Sequence, residues 1–309
     1  MSRVVKVALV LLAVLGVAAA LAYRSVTSRE PVPDVSDFVI DLGEIRRVST
    51  SLPGDAPFEI RSALLSETTL PRGAVFAGES LFAAQPFVHQ IFEVRWKSGM
   101  TLLIDTGYTP ALRDKIDPKG RYDQAVYERS LQEMREAALI VVTHEHFDHL
   151  GGVGGYEPPE GLAGRLRLTK AQLANRQALD DGNVPAAIRE QEPLPDRPLL
   201  GLAPGVALLK APGHTPGSQI VYVHLGDDRE YLFIGDIAWH LDQITKLHYR
   251  PKLVTDWFLG EDRRAVLAQF RAIHELMRAY PQLLVVVSHD PDERKRLLAS
   301  EALVDGFAD

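Results

Sequence analysis

Residues 139 to 152 read LIVVTHEHFDHLGG, a short apolar run that ends abruptly in three histidines and two acids. The run from Leu139 to Val142 has the length and the branched residues of a buried strand. Side chains alternate along an extended segment, so His144, His146 and Asp148 point to one side, and a turn brings His149 alongside them. Neutral imidazole and carboxylate together suit zinc and related transition metals. The first expectation is a cation site built on the end of a strand.

Three further apolar runs end in similar residues. ALLK (207 to 210) leads into Ala211, Pro212, Gly213 and His214, YLFI (231 to 234) into Gly235 and Asp236, and LLVVV (283 to 287) into Ser288, His289 and Asp290. Ligands in layered α/β proteins bind beyond the carboxyl ends of strands, so these four ends can converge on one site. LLI (102 to 104) and IVYVHL (220 to 225) are strand-like too. Between 262 and 280, Val266, Phe270, Ile273, Met277 and Tyr280 recur every three or four residues, the stripe of a helix that covers a sheet. A second helix is expected over 122 to 137, with Ala125, Leu131 and Met134 on its inner side. Strands interleaved with helices make a layered α/β protein.

The segments THEHFDHLGG (143 to 152), APGHTPGS (211 to 218), Phe233-Ile234-Gly235-Asp236 and Ser288-His289-Asp290, in that order, resemble the metallo-β-lactamase superfamily across residues 75 to 291. Leu103-Ile104-Asp105-Thr106-Gly107 looks like that family's early strand, whose aspartate supports the site from behind. The resemblance implies an αββα sandwich, two mixed sheets face to face with helices outside, around a dinuclear metal centre. It also implies His144, His146 and His214 as ligands of one ion, Asp148, His149 and His289 as ligands of the other, and Asp236 as the bridge. Two divalent ions about 3.5 to 4 Å apart lower the pKa of a bridging water toward ~7 and so supply hydroxide. Zinc is the expected metal, with iron or manganese as alternatives. The expected activity is that of a metallo-hydrolase that cleaves a small ester or lactone, with Asp148 as ligand and proton shuttle. Asp236 favours this reading, because lactonases and thioester hydrolases of the family keep the bridging aspartate. The alternatives are a β-lactamase-like or thioester hydrolase, an iron-dependent persulfide dioxygenase-like oxidoreductase, and a noncatalytic metal-binding protein.

The rest of the chain narrows the function classes. In 309 residues there is no cysteine, which excludes disulfides, thiolate metal sites and a cysteine nucleophile. A net charge of -7 argues against an electrostatic nucleic-acid binder and for a small-molecule substrate. His89, His224, His240, His248 and His274 fall outside the motifs and read as surface or satisfied core residues. His240, His248 and Tyr249 follow Asp236 and are the candidates for reaching substrate as hydrogen-bond donors. Gly151, Gly152, Gly154 and Gly155 read as shaping the metal loop, not as a nucleotide turn.

At the N-terminus, Arg3 and Lys6 precede an uncharged run from Val7 to Ala22 with small residues at Ala20 and Ala22, the layout of a secretory signal or an N-terminal anchor. The expected organisation is a signal peptide or anchor at 1 to 23, a linker at 24 to 35 and the hydrolase domain at 36 to 309. The catalytic domain is then exported, either periplasmic or tethered to the membrane through residues 4 to 23.

Overall fold

The computed structural model describes residues 3 to 308, apart from the side chains at 4, 7, 8, 10 and 116. Met1 and Ser2, the start of the expected signal or anchor, and Asp309 lie outside the described residues. All six apolar runs named above form strands. In chain order the strands are β1 (Glu59–Pro71), β2 (Ala84–Arg95), β3 (Thr101–Ile104), β4 (Arg121–Tyr122), β5 (Leu139–Val141), β6 (Leu199–Ala203), β7 (Val206–Lys210), β8 (Gln219–His224), β9 (Glu230–Phe233), β10 (Leu284–Val286) and β11 (Val304–Asp305). One sheet has the order β11-β1-β2-β3-β5, with β4 paired to β1, and the other has the order β10-β9-β8-β7-β6. Both are mixed: β3 and β5 run parallel in the first, as do β9 and β10 in the second, while most other pairs are antiparallel.

Period-two alternation sorts the strand residues into layers. Leu102 and Ile104 of β3 meet Val221 and Val223 of β8 between the sheets, together with Phe92, Phe233 and Val286. Ile220 and Tyr222 of β8 point the other way, onto Ile45 of the helix Leu42–Ser49 and Val266, Phe270 and Ile273 of the helix Arg263–Ala279. On the outer face of the first sheet, Leu103 and Ile140 pack with Met134 of the helix Gln124–Glu136. Helix, sheet, sheet, helix is the αββα sandwich.

The helix over 122 to 137 needs one correction. Asp123 caps its start by accepting from Val126 N (3.1 Å), and Met134 is buried and Leu131 partly so, but Ala125 is exposed. The inward face is made instead by Tyr127, Ser130, Glu133 and Met134. The longest strands, β1 and β2, lack a long apolar run because they carry buried polar groups. Ser62 bonds Gln90 across the pair (2.8 Å), and Gln90 reaches on to the carbonyl of Ser288 (3.0 Å) beside the site.

The N-terminal segment is a helix from Arg3 to Thr27. Among the described residues no helix is long and apolar enough to cross a membrane. Beyond Thr27 the chain is held to the domain: Glu30 pairs with Arg263 and Lys252 (Nζ–Oε1 3.5 Å), and Ser36 bonds the carbonyl of Ala268 (2.8 Å).

Candidate metal centre

Parallel and antiparallel strands of both sheets stop at one end of the sandwich, and the polar residues beyond them meet there. Glu145 shows why the loop after β5 keeps its histidines on one side. Its carboxylate turns away and accepts from Thr215 Oγ1 (2.7 Å), Asn175 Nδ2 (2.8 Å) and Gly217 N (3.3 Å), which ties this loop to the one carrying His214. His144 and His146 therefore face the opposite side, and the short turn Phe147–Leu150 carries Asp148 and His149 round beside them. Gly235 lets the Asp236 loop approach: its φ is +50°, and a Cβ there would lie 2.7 Å from Thr143 Cβ.

All seven residues singled out in the sequence come together, in two groups. His144, His146 and His214 form one, and Asp148, His149, Asp236 and His289 form the other. In the first group His146 Nδ1 lies 3.1 Å from His144 Nε2 and 3.0 Å from His214 Nε2. In the second, His149 Nε2 is 3.3 Å from His289 Nε2 and 3.3 Å from Asp236 Oδ1. Asp236 faces both groups, since its Oδ2 is 3.5 Å from His214 Nε2 and 3.9 Å from His144 Nε2.

The outward nitrogens explain the chemistry of the inward ones. His149 Nδ1 meets Asp105 Oδ2 (2.8 Å), His214 Nδ1 meets Glu261 Oε1 (2.7 Å) and His289 Nδ1 meets the carbonyl of Val88 (2.7 Å). Each acceptor holds a proton on Nδ1, so in the neutral ring Nε2 presents a lone pair to the centre. Asp236 Oδ1 is buried without a hydrogen-bond partner, although His289 Nε2 is only 2.9 Å away. Lone pairs facing lone pairs at such distances are repulsive unless positive charge lies among them. The donor set fits divalent cations, one within the three histidines and one within the Asp148 group.

The protonation pattern agrees. Burial and the neighbouring rings push His144 well below its ordinary value, and burial with His214 takes His146 down to about 4. Burial alone would lower His149 too, but Asp148, Asp105 and Asp236 outweigh it and raise His149 well above 6.5. Burial opposes ionisation of Asp236 and Asp148, yet the surrounding histidines hold both well below the usual carboxylate range.

Several partners were not foreseen. Glu261 is buried and receives His214, Tyr249 and Arg250, the last through Nη2 at 2.6 Å. Arg250 lies 4.6 Å from the centre of the Trp239 ring, and Trp239 Nε1 donates to Asp236 Oδ2 (2.6 Å). His89, read as an ordinary histidine, stands 3.4 Å from Asp148 Oδ2, and its Nδ1 bonds Ser66 Oγ (2.7 Å), which bonds Tyr108 Oη (2.7 Å). Nothing local in the sequence marks any of these, because each contact joins distant segments. Conversely, the three candidates after Asp236 do not line the cavity over the centre. His240 lies beside Asp290 (3.5 Å), His248 bonds the carbonyl of Ala77 (2.7 Å), and the Tyr249 hydroxyl is taken by Glu261. That cavity has a volume of about 300 Å³ and is lined by Asp148, Asp236, His89 and Tyr108 among its polar residues and by Phe87, Trp239 and Leu259 among its apolar ones.

The family model of the metallo-beta-lactamase superfamily matches residues 85–267, more than half of the chain. A probable metallo-hydrolase of Mycobacterium tuberculosis is 28% identical over 230 residues, covering 62% of this chain and 71% of its own. An N-acyl homoserine lactonase of Bacillus thuringiensis is 24% identical over 166 residues, covering 53% and 60% respectively. Among solved structures, a quorum-quenching N-acyl homoserine lactone lactonase superposes with a TM-score of 0.61 at 16% identity, over 78% of this chain and 95% of that one. A dizinc quorum-quenching lactonase in complex with a product superposes at 0.54 and 15% identity, over 86% and 92%.

The raised pKa of His149 has a measurable consequence. The surrounding carboxylates keep a proton on this ring to higher pH than on an ordinary imidazole, and a metal ion must displace it. Binding at the Asp148 group is therefore expected to release a proton and to tighten as pH rises from 6.5 until His149 titrates. Calorimetric titration with Zn2+ in buffers of different ionisation enthalpy checks this, and an affinity flat with pH would contradict it.

Proposed function

The chain belongs to the metallo-beta-lactamase superfamily and is a metallo-hydrolase, and from that premise we propose that it cleaves a small ester or lactone at a dinuclear centre, with zinc as the metal. The observation that carries this reading is Asp236, whose carboxylate faces both ligand groups at once beneath a cavity that is apolar on one side. Two divalent ions held by these groups would polarise a carbonyl and make a strong nucleophile of water at neutral pH. N-acyl homoserine lactonases are among the relatives and structural neighbours, which supports a substrate of that chemical kind.

The protein's own residues divide the remaining work. Phe87, Trp239 and Leu259 offer an apolar wall for an acyl chain, which leaves the carbonyl at the Asp148 end. Asp148 is placed to take the proton released by the attacking water and return it to the departing alkoxide oxygen. His89 Nε2 stands 3.4 Å from Asp148 Oδ2 and helps to hold that carboxylate, and the Ser66 and Tyr108 hydroxyls fix the His89 ring. Trp239, by donating to Asp236 Oδ2, fixes the plane of the shared carboxylate.

A panel of lactone, ester, thioester, β-lactam, phosphodiester and persulfide substrates tests the reading. Lactone or ester turnover abolished by chelator is the expected result, and turnover confined to β-lactam or persulfide would overturn it. Asp236→Asn should lower kcat by about 10²-fold with the fold intact. Wild-type turnover in that variant would show that Asp236 only ends its strand in a turn.

We also infer that residues 1–23 direct the chain to export, with the catalytic domain outside the cytoplasm. The positive residues ahead of the apolar run support this. A C-terminal reporter active only after export should report, and a silent, intact cytosolic fusion would count against it.

A further inference from the structure

The apolar N-terminal helix leaves the domain beside a segment, Lys252–Val254, that leads to the wall of the catalytic cavity. Its end is fixed there by three contacts: Gly78 N donates to the carbonyl of Thr27 (2.7 Å), and the Arg29 guanidinium donates to the carbonyls of Lys246 (2.9 Å) and Leu247 (3.1 Å). The helix also packs against the segment Lys252–Val254. That segment continues directly into the turn Thr255–Leu259, which projects Trp257 and Phe258 into solvent at 75% and 79% exposure. Leu259, the next residue, lines the cavity and joins Val254 against Phe76, Phe87 and Trp239. One apolar surface thus runs from the helix through the Trp257 turn to the wall that faces the metal centre.

The distribution of side chains identifies what covers it. Leu9, Leu11, Leu12, Val14, Leu15, Val17 and Leu21 are all more than half exposed. At about 100° per residue they fall around the whole circumference of the helix, with no polar face between them. A protein groove or a second copy of the chain covers one side of such a helix, whereas lipid covers every side. Arg3 and Lys6 at one end and Arg24 at the other carry the positive charge that suits lipid headgroups. An exposed tryptophan beside the helix belongs at the headgroup level, where its ring meets hydrocarbon and its N–H meets water.

We propose that this surface rests on a lipid bilayer, with the helix Arg3–Thr27 immersed and Trp257 and Phe258 in the interface, so that the catalytic cavity opens at the membrane and takes amphiphilic substrates from it. The proposal concerns contact with lipid, and it rests on the acyl-ester or lactone reading only for the nature of the substrate. The apolar lining of the cavity then continues the hydrocarbon environment from which an acyl chain arrives.

Flotation of the full-length chain with vesicles of phosphatidylcholine and phosphatidylglycerol tests the contact without reference to catalysis. The chain should float with the vesicles, and brominated lipid should quench the tryptophan emission. Trp96 and Trp239 are buried, so the quenched fraction should disappear in Trp257→Leu. The double variant Trp257→Ser, Phe258→Ser should keep its turnover of a short soluble ester and lose about tenfold in turnover of a long-chain ester presented in vesicles. A chain that floats with no quenching of Trp257 would overturn the seating of the rim on lipid. A chain that stays in solution as a defined dimer would assign the surface to self-association instead. Should no ester or lactone be turned over while Trp257 is still quenched, the function reading fails and the lipid contact stands.

Discussion

Lone pairs and carboxylates from four strand ends face one another across a few ångströms in a buried site, and only positive charge makes that arrangement tolerable. His144, His146 and His214 present ring nitrogens about 3 Å apart, and His149, His289 and the two aspartates do the same beside them. Burying such groups unpaired costs several kcal/mol each. Cations would satisfy them; without such charge, burial and the neighbouring rings lower the pKa of His144 and His146, while Asp148, Asp105 and Asp236 outweigh burial and raise that of His149. The sandwich brings the strand ends together, but the charge in the centre decides whether they can remain so.

The surroundings are built to keep each donor aimed. Asp105 has a left-handed backbone (φ +64°), a conformation an aspartate tolerates better than most residues, and from it the carboxylate accepts from Thr143 N (2.7 Å) and meets His149. Glu261 does the same for His214 and is itself held ionised: burial opposes it, but Arg250 and His214 lower its pKa. Arg250 donates to the carbonyl of Asp236 (3.0 Å) and stacks on Trp239, so one buried guanidinium connects the supports of His214 and Asp236. The two ligand groups are thereby coupled through protein as well as through the shared carboxylate.

The centre was legible in the sequence to the extent that its residues sit next to apolar runs. His144, His146, Asp148 and His149 lie within six residues, and His214, Asp236 and His289 each follow a recognisable strand, so their place marks them as candidates, while the family resemblance is what singles out the set of seven. Glu261, Arg250, His89, Ser66 and Tyr108 left no such trace, since their roles come from contacts between segments far apart in the chain. The same limit hid β1 and β2, whose buried Ser62, His89, Gln90 and Glu93 break the apolar pattern that marks a central strand. Ala125 failed for another reason: the helix there is amphipathic, but the buried side is carried by Tyr127, Ser130 and Glu133, residue types that periodicity counts as neutral or polar.

On this reading Asp236 joins two cation sites into one centre. X-ray absorption spectroscopy of the zinc-loaded, full-length protein measures this directly. The expected spectrum shows nitrogen and oxygen neighbours rich in imidazole and a metal–metal scattering path at about 3.5 to 4 Å. A spectrum with imidazole ligands but no metal–metal path, from protein carrying two ions, would contradict it.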